Sequence, residues 1–595
     1  MPGISGALDI ARWSMYASQL AMEVTSHNIA NANTEGYSKQ NLEVRANNPI
    51  TMAPGQFGTG VKATEVTRQY DAYLSAQVVQ KSADDSYWSS QKGAMDQIES
   101  IFNETDGNGI NALMGDFWNA WGALENNPDG VPERNSLIST TDNLVSMVHD
   151  MDTNLRANQQ NLDMNIRGAV DDTNKIISQI ADLNNNITSV EVKGMINAND
   201  LRDQRDLLLQ KLSQHLDINY YEDSSTGQVN VFIMGGTPLI LGKDHNSLST
   251  SYNTTTGFTD VLWNDTSGRS INLTSPTLKL KSGDITGMVD VRDNQIGSYL
   301  DSLNTLTQEL VWQVNSLHSE GTGLQSVHTM TGTVQTSGDA DNLSTAFLFS
   351  NRYTPGGSFD IVEYDNSGQV VGTYNITPAG NTVGDLRTAI NTASGGTIAA
   401  TLTGGTSGAL SISAVDPTHT FAIKPSAGGT ASNALAILGV NTYFSWDETV
   451  GQPVDDITQT VAVNQVLKTN PNLISSGYLD NNNMVAPGAN EVASAISALQ
   501  DKVIPNMGGA GVNTTMDAYY SSLVAQVGVD SQNATQNQKF NDTLLSQYTQ
   551  RKEGVSGVNL DDEMTDLLKN QQIYQASAKL ISICDTMMQS LLSIQ

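Results

Sequence analysis

The sequence predicts a multidomain α+β protein in which long helices alternate with inserted β domains. Apolar residues repeat with heptad spacing at both ends of the chain and along a tract in its first third. In two central segments they alternate around glycine turns instead, and 595 residues are enough for several domains. We therefore expect a terminal α-helical coiled coil, a long helical rod-like domain and inserted all-β outer domains.

The first predicted element is an amphipathic helix at the N-terminus. Its apolar and small residues recur in alternating steps of four and three, which is the spacing of a heptad seam. The bulky members of this seam are Ile4, Leu8, Met15 and Met22. The helix leads into the amide-rich stretch SHNIANANTEGYSKQ at 26–40, where Gly36 ends it.

The last predicted element is a second heptad helix. Asn559 can cap it, and Asp561, Asp562 and Glu563 then lie in the first turn, where the helix dipole favours negative charge. Its apolar stripe comprises Leu560, Met564, Leu567, Tyr574, Ile581, Met588 and Leu592. Neither terminal stripe is wide enough to be stable alone, so we expect the two helices to pair. The alternative is that each docks separately on the globular body.

Between the ends the sequence predicts four more helical segments and several strands. Heptad or amphipathic patterns cover 70–102, 137–190, 199–215 and 513–550. Alternating segments at 227–241, 359–376 and 396–415 predict hairpins, the second around Asp365–Gly368, with a short helix near 382–391.

These patterns predict four domains, each built from separated parts of the chain. They are a terminal coiled-coil domain (1–60 and 553–595), a helical rod domain (61–216, 284–325 and 488–552), an inner β domain (217–283 and 446–487) and an outer variable β-rich domain (330–445).

The charge composition of the chain excludes two classes of partner, nucleic acid and anionic lipid. The chain has 62 acidic and 30 basic residues and a formal net charge of −32. Such a chain repels nucleic acid and anionic lipid, so we expect no nucleic-acid partner and no membrane insertion. The single cysteine, Cys584, excludes an internal disulfide and is interpreted as a small packed thiol on a flank of the last helix.

Catalytic, cofactor and metal motifs are not found in the sequence. The seven histidines show no metal-ligand spacing, and no GxSxG motif occurs. Gly236 and Gly242-Lys243 resemble a phosphate loop, but five residues separate the glycines and Asp244 replaces the Ser or Thr that binds magnesium. We therefore predict no catalytic, cofactor-binding or metal residues, and a protein that is not an enzyme.

The stretch at 26–40 resembles the N-terminal signature of bacterial flagellar axial proteins, with Asn-Ile-Ala-Asn followed by Thr-x-Gly-Tyr. Three further stretches, at 199–213, 283–321 and 556–592, resemble the flagellar hook-associated protein 1 family. The departures are Lys39 in place of a common arginine and Glu35 in place of a frequent proline. The resemblance covers both ends and the helical middle, whereas 322–445 matches that family only in its β character.

The resemblance implies a structural junction between flagellar hook and filament, formed by a ring of subunits. It implies that the terminal helices and the amide-rich turn contact neighbouring subunits; the alternative is that the amides only fray a helix end. The implied assembly residues are Ile4, Leu8, Met15, Met22, Asn28, Asn31, Asn33, Gly36, Tyr37, Leu560, Met564, Leu567, Tyr574, Ile581, Met588 and Leu592. An export chaperone is expected on Leu567, Tyr574, Ile581 and Met588.

The resemblance also implies partners and a location. The expected partners are further copies of the chain, the hook protein on the proximal side, the next hook-associated junction protein and flagellin on the distal side, and the cytosolic export chaperone. The expected location is extracellular, after export through the flagellar type III pathway without a cleaved signal peptide. Alternatives are another axial protein of the hook or rod, or a secreted adhesin or surface hydrolase on an axial scaffold.

Overall fold

The computed structural model describes residues 2–53, 55–103, 109–192, 195–275, 280–451 and 456–593. The chain divides into two compact units. The first unit comprises Met1–Asp96, Gln160–Asn294 and Ser531–Gln595, and the second comprises Gln97–Gln159 and Gln295–Asp530. Each unit therefore combines segments that are far apart in sequence.

Helices dominate the described residues, and the predicted long helices are all confirmed. The α-helices are α1 Pro2–Asn31, α2 Ala72–Ile101, α3 Ile110–Asn126, α4 Val131–Val190, α5 Asn199–His215, α6 Asp284–Asp290, α7 Ile296–His318, α8 Val383–Ala393, α9 Ala434–Ile437, α10 Ile457–Thr460, α11 Gln465–Thr469, α12 Glu491–Ser497, α13 Met516–Ser556 and α14 Leu560–Leu592. A π-helix at Val291–Gln295 joins α6 to α7, and short 3₁₀ turns lie at Ser350–Arg352, Pro471–Leu473 and Ala498–Asp501.

The strands form several small antiparallel sheets. They are β1 Gln40–Ala46, β2 Ile50–Met52, β3 Gly55–Phe57, β4 Val61–Arg68, β5 Ile218–Glu222, β6 Val229–Ile233, β7 Thr237–Leu241, β8 Asp244–His245, β9 Ser247–Tyr252, β10 Thr259–Asn264, β11 Ser270–Asn272, β12 Thr329–Thr331, β13 Phe359–Tyr364, β14 Val370–Ile376, β15 Ile398–Leu402, β16 Leu410–Ala414, β17 Thr420–Pro425, β18 Phe444–Ser445 and β19 Ala462–Val463. The sheet orders are β5-β6-β7-β8, β11-β10-β9, β12-β16-β15 and β14-β13-β17, with two-stranded pairs β1-β4, β2-β3 and β18-β19.

The predicted hairpin at 359–376 is confirmed, together with its turn. Asp365 Oδ1 accepts hydrogen bonds from the backbone N–H groups of Ser367 and Gln369, and Gly368 has a φ of 74°. An aspartate that bonds to its own turn, followed by a glycine in the left-handed region, is a strong hairpin signal. The short helix expected near 382–391 is α8, which begins with a capping box between Thr382 and Asp385.

Two parts of the β prediction differ from the structure. The β1–β4 hairpin was not anticipated, although Leu42 and Val44 show the alternation that would have indicated it. Conversely, the described part of 446–487 contains only one strand, β19. Asn464 and Asn470 instead accept hydrogen bonds from backbone N–H groups two residues later and so begin short helical turns. The predicted domain boundaries themselves stay a prediction.

Within the first unit, α4 holds the sheets through side-chain amides. Asn174 donates to the carbonyl of Leu248 and accepts from its N–H, at 2.9 and 2.8 Å. Asn184 makes the same two-way contact with Val229, at 2.8 and 3.0 Å. Each amide satisfies both backbone groups of one strand residue, as a neighbouring strand would. These contacts attach β6 and β9 to the helix.

The second unit has an aromatic core. Phe117 and Trp121 of α3 lie against Tyr443 and Phe444, with ring centroids of Trp121 and Tyr443 5.1 Å apart. All four rings are fully buried. Aromatic side chains bury more apolar area than other residues, so this cluster fixes the loop before β18 on α3.

Candidate assembly surface at the paired chain ends

The two end helices pack against each other, as predicted. On α1 the heptad residues, including Ile4, Leu8, Met15 and Met22, are half-buried or buried, whereas the opposite face is exposed. The seam is close because its residues are small: Ser577 of α14 donates a hydrogen bond to Ser14 of α1 at 2.9 Å. Small side chains at these positions let the two helix backbones approach closely there.

The face that α14 presents to α1 differs from the predicted stripe and requires a correction. Its covered positions again follow steps of four and three. They are Glu563, Leu567, Asn570, Tyr574, Ser577, Ile581 and Cys584. Only Leu567, Tyr574 and Ile581 belong to the predicted set, while Leu560, Met564, Met588 and Leu592 are 43–72% exposed. Cys584 lies in the contact face and is buried, not on a flank.

Asn28 is the centre of a buried polar cluster where the amide-rich stretch meets α14. Its Nδ2 donates to the carbonyl of Gln40 and to Oε2 of Glu563, both at 2.9 Å. Its Oδ1 accepts from Tyr37 Oη at 2.8 Å and from the backbone N–H of Gln40 at 3.0 Å. The Asn28 side chain is therefore fully used inside the chain, with 1% of its surface exposed.

Lys39 neutralises the carboxylate of this cluster. Its Nζ lies 2.6 Å from Oε1 of Glu563, whose side chain is 2% exposed. The backbone N–H of Lys39 also donates to the carbonyl of Ser556, just before α14 begins. The position of Glu563 in the first turn of α14 predicts only a favourable interaction with the helix dipole. The basic residue beside the Asn-Ile-Ala-Asn motif was the available signal, because a half-buried lysine needs a carboxylate partner.

Aspartates of α5 support the same stretch from the other side. Asp203 accepts from the backbone N–H of Ser38 at 2.9 Å and from Arg68 at 2.7 Å, and Asp206 also lies 2.8 Å from Arg68. Asp200 accepts from the side chain of Gln40 at 2.7 Å. Burial raises the pKa of Asp203 despite the opposing effect of Arg68. These aspartates lie in the segment 199–213, which resembles the hook-associated protein 1 family. This segment therefore holds the amide-rich turn in place.

The turn itself depends on Gly36 and Tyr37. Gly36 has a φ of 78°, and a Cβ there would lie 3.2 Å from the Cβ of Leu207, so glycine is required by both conformation and space. Burial, followed by the charges of Asp200, Asp203 and Glu563, raises the pKa of Tyr37, which keeps its hydroxyl a hydrogen-bond donor.

The other two amides of the motif lie outside this cluster. Asn31 Nδ2 donates back to the carbonyl of His27, and its Oδ1 accepts from Thr34. Asn33 is exposed. The structure thus brings together Asn28, Gly36 and Tyr37 and leaves Asn33 at the surface.

A large apolar surface of α14 remains uncovered in the single chain. Its exposed members are Leu560, Met564, Leu568, Ile573, Leu580, Ile583, Met587, Met588, Leu591 and Leu592. Ile10, Trp13 and Tyr16 add a smaller exposed apolar set on α1. Exposed apolar side chains in this number on one helix are typical of a protein–protein contact site.

Charge is distributed unevenly along the chain. Residues 1–68 and 531–595 together hold ten basic and twelve acidic residues, whereas the rest of the chain holds 20 basic and 50 acidic residues. The segments that form the paired ends are therefore nearly neutral. Close packing of copies through these segments costs little electrostatic repulsion.

Two other kinds of site are absent from the described residues. Within them, no group of three or more histidine, cysteine, aspartate or glutamate side chains could hold a metal ion. In the same part of the chain, the helices are too short or too polar to cross a membrane.

Comparison with known families matches three segments. Residues 95–332 match the family described as "Flagellar hook-associated protein FlgK helical domain". Residues 8–37 match "Flagella basal body rod protein", and residues 554–594 match "Flagellar basal body rod FlgEFG protein C-terminal". The last two matches fall on α1 and α14, the helices that pack together.

Relatives that align with nearly the whole chain are also flagellar hook-associated proteins. The chain is 25% identical to "Flagellar hook-associated protein 1" of Bacillus subtilis (strain 168), over 98% of this chain and 97% of the relative. It is 23% identical to the protein of that name from Escherichia coli (strain K12), over the whole of both chains. Among solved structures, that of the flagellar hook junction protein FlgK from Burkholderia pseudomallei covers 81% of this chain and 100% of its own, with 18% identity and a TM-score of 0.50, and shows a shared fold.

Proposed function

The chain belongs to the flagellar hook-associated protein 1 family, and from this premise we propose that it forms the structural junction between hook and filament. The observation that carries the proposal is the pair of end helices. They are locked to each other by Asn28, Lys39 and Glu563, yet they leave a broad apolar surface uncovered. A monomeric protein would leave this apolar surface in contact with water, whereas neighbouring subunits in a ring would bury it.

In this proposal the paired ends form the coiled-coil layer of the assembly. The exposed residues of α14 on one copy pack against the end helices of the next copy. Near-neutral charge in the end segments favours this arrangement. The remaining chain has 50 acidic and 20 basic residues, so these parts of neighbouring copies repel each other. In this proposal they are therefore farther apart than the end segments. Ten of the assembly residues expected from the sequence take one of two roles in this arrangement.

The first role is intramolecular. Asn28, Gly36 and Tyr37 shape the turn, and Leu567, Tyr574 and Ile581 hold α14 on α1. The second role is contact between copies, for which the exposed Leu560, Met564, Met588 and Leu592 are the candidates. This division follows from burial, since a residue already covered inside the chain has little area left to bury against a neighbour.

The remaining partners follow from the position of a junction. The hook protein would lie on the proximal side, and the next hook-associated junction protein and flagellin on the distal side. A cytosolic chaperone would cover the C-terminal helix before type III export, and the mature chain would be extracellular. The β-rich segment 330–445 would lie away from the coiled-coil layer as an outer domain. No catalysis is part of this proposal.

The test is deletion of the gene in the source bacterium. If the proposal is right, the mutant keeps its hooks, releases unattached filament protein into the medium and does not swim. Reintroducing the gene should restore attached filaments. A mutant that lacks hooks would assign the chain to the rod or hook instead, and a mutant with normal filaments would overturn the proposal.

A further inference from the structure

The β1–β4 hairpin places like charges directly opposite each other. Glu43 faces Glu65, and Arg45 faces Lys62 two positions further along the hairpin. Opposed side chains share one face, so like charges there repel. Glu65 is relieved by a hydrogen bond from Asn197. Arg45 and Lys62 are exposed, and no carboxylate among the described residues forms an ion pair with either.

The tip of the same hairpin carries an exposed apolar pair. Ile50 faces Phe57 across β2 and β3, and the two side chains are 52% and 48% exposed. The β1–β4 ladder is held on α1 at the end next to this tip, where a Cβ at Gly60 would lie 3.2 Å from the Cα of Ile10. The tip belongs to a two-stranded sheet, and such sheets are marginally stable in water unless a further surface covers them.

The charges of the hairpin and of the rest of the chain indicate which surface covers this tip. A basic pair with no partner of its own fits an acidic surface, and outside the end segments this chain has 50 acidic against 20 basic residues. The net charge of −32 opposes binding to anionic lipid or nucleic acid, which would otherwise attract a basic pair. The amino-acid composition therefore indicates that a second copy of the chain covers the tip.

We propose that the hairpin tip of one copy docks on the acidic surface of a second copy. Ile50 and Phe57 are buried in this contact, and Arg45 and Lys62 face carboxylates of the neighbour. The contact would add a second, charge-dependent link between copies to the apolar contact of the end helices. This inference rests on the proposed function, because it requires copies to lie side by side in an assembly.

The test uses the full chain in the source bacterium, with a photo-cross-linking phenylalanine analogue at position 57. Hook–filament assemblies are isolated and irradiated, and the adducts are sequenced by mass spectrometry. We expect adducts between two copies, with the attached peptide coming from residues 69–530 and containing aspartate or glutamate. R45E/K62E should lower the adduct yield by about tenfold, and the neutral R45Q/K62Q by a smaller factor.

The matched control is K539E/R551E, which reverses two exposed basic residues of the end segments that have no described ion pair and should leave the yield unchanged. Adducts to a different protein, absence of adducts, or a yield that R45E/K62E leaves unchanged would overturn the hairpin contact. In those cases the chain still occupies the junction, so the proposed function stands. Absence of the chain from the junction would overturn both the hairpin contact and the proposed function.

Discussion

The side-chain amide of Asn28 donates a hydrogen bond of 2.9 Å to the carboxylate of Glu563, 535 positions later in the chain. Both residues are 1% exposed. This contact joins the end of the first helix to the first turn of the last, so the order of one chain end depends on the other. A buried amide and a buried carboxylate are stable only together with Lys39, which supplies the balancing charge.

Replacing Asn28 with aspartate should uncouple the two ends. The variant replaces the Nδ2 donor with a charged acceptor beside Glu563, so the two hydrogen bonds that Nδ2 donates to Gln40 and Glu563 are lost, while a carboxylate oxygen can still accept from Tyr37 and Gln40. We expect a loss of about 3 kcal/mol in the local stability of the paired ends. Amide hydrogen exchange should accelerate in 36–41 and 560–567. The matched control is N33D at an exposed amide; equal effects in both variants would contradict the role of Asn28.

Glu563→Gln should destabilise the start of α14 because it leaves the ammonium of Lys39 without its partner. Breaking one side of a buried ion pair costs about 3 kcal/mol, and removing both charges costs less. We therefore expect K39M/E563Q to be more stable than E563Q alone. Chemical denaturation of E563Q, K39M and K39M/E563Q, read at α14 by a fluorescent label, measures this coupling. Additive effects of the two substitutions would show that the pair contributes nothing.

Two neighbouring residues of α14 should respond differently to the same change. Ile581→Asp places a charge in the seam with α1, whereas L580D alters a residue that is 41% exposed. I581D should release the chain ends to proteolysis in the monomer, and so should Leu8→Asp at the partner seam. L580D should leave the monomer intact but prevent filament attachment. Normal attachment in L580D would contradict the assigned contact surface.

His318 should make the second unit sensitive to acid. Its Nδ1 lies 2.8 Å from the carbonyl of Asn441, and its Nε2 accepts from the N–H of Ser475 at 2.9 Å, which requires the neutral ring with its proton on Nδ1. Burial lowers the pKa of His318 to about 4.

The sign of the effect follows from proton uptake. An unfolded histidine titrates near 6.5, so between about 6.5 and 4 the unfolded chain binds a proton that the folded chain does not. This contribution is present in full above pH 6.5 and is lost as pH falls to about 4, amounting to about 3 kcal/mol. Hydrogen exchange of 474–476 measures it. H318Q should lack this dependence; an equal acid response in H318Q would assign it to other groups.

An export chaperone that binds Leu567, Tyr574, Ile581 and Met588 would compete with α1, because the first three lie in the covered face of α14. We expect the chaperone-bound chain to expose α1 to protease, with cleavage within the first 30 residues. Truncation after Val558 should abolish binding, and A11D, which disrupts the seam from α1, should strengthen it. Protection of α1 in the complex would show that the chaperone uses the outer face instead.

The sequence alone determined the two end helices together with α2, α4, α5 and α13, and the principal hairpins, and it favoured pairing of the chain ends over separate docking. These features depend on local periodicity and turn chemistry, which are visible within a few residues: the Asp365–Gly368 turn and the Asn559 cap are examples. The sequence did not single out Asn28, because the resemblance gave Asn28, Asn31 and Asn33 the same expected role in contacts between subunits.

Only the tertiary structure decided which face of α14 is covered. Two heptad registers, one through Met564 and one through Glu563, share Leu567, Tyr574 and Ile581, so spacing did not separate them. Packing selected the register with Ser577 and Cys584 because small side chains permit close approach to α1. Glu563 became a seam residue because Lys39 and Asn28 compensate its burial, and those partners are brought to it only by the fold. Burial and charge compensation depend on contacts between distant residues, which local patterns do not specify.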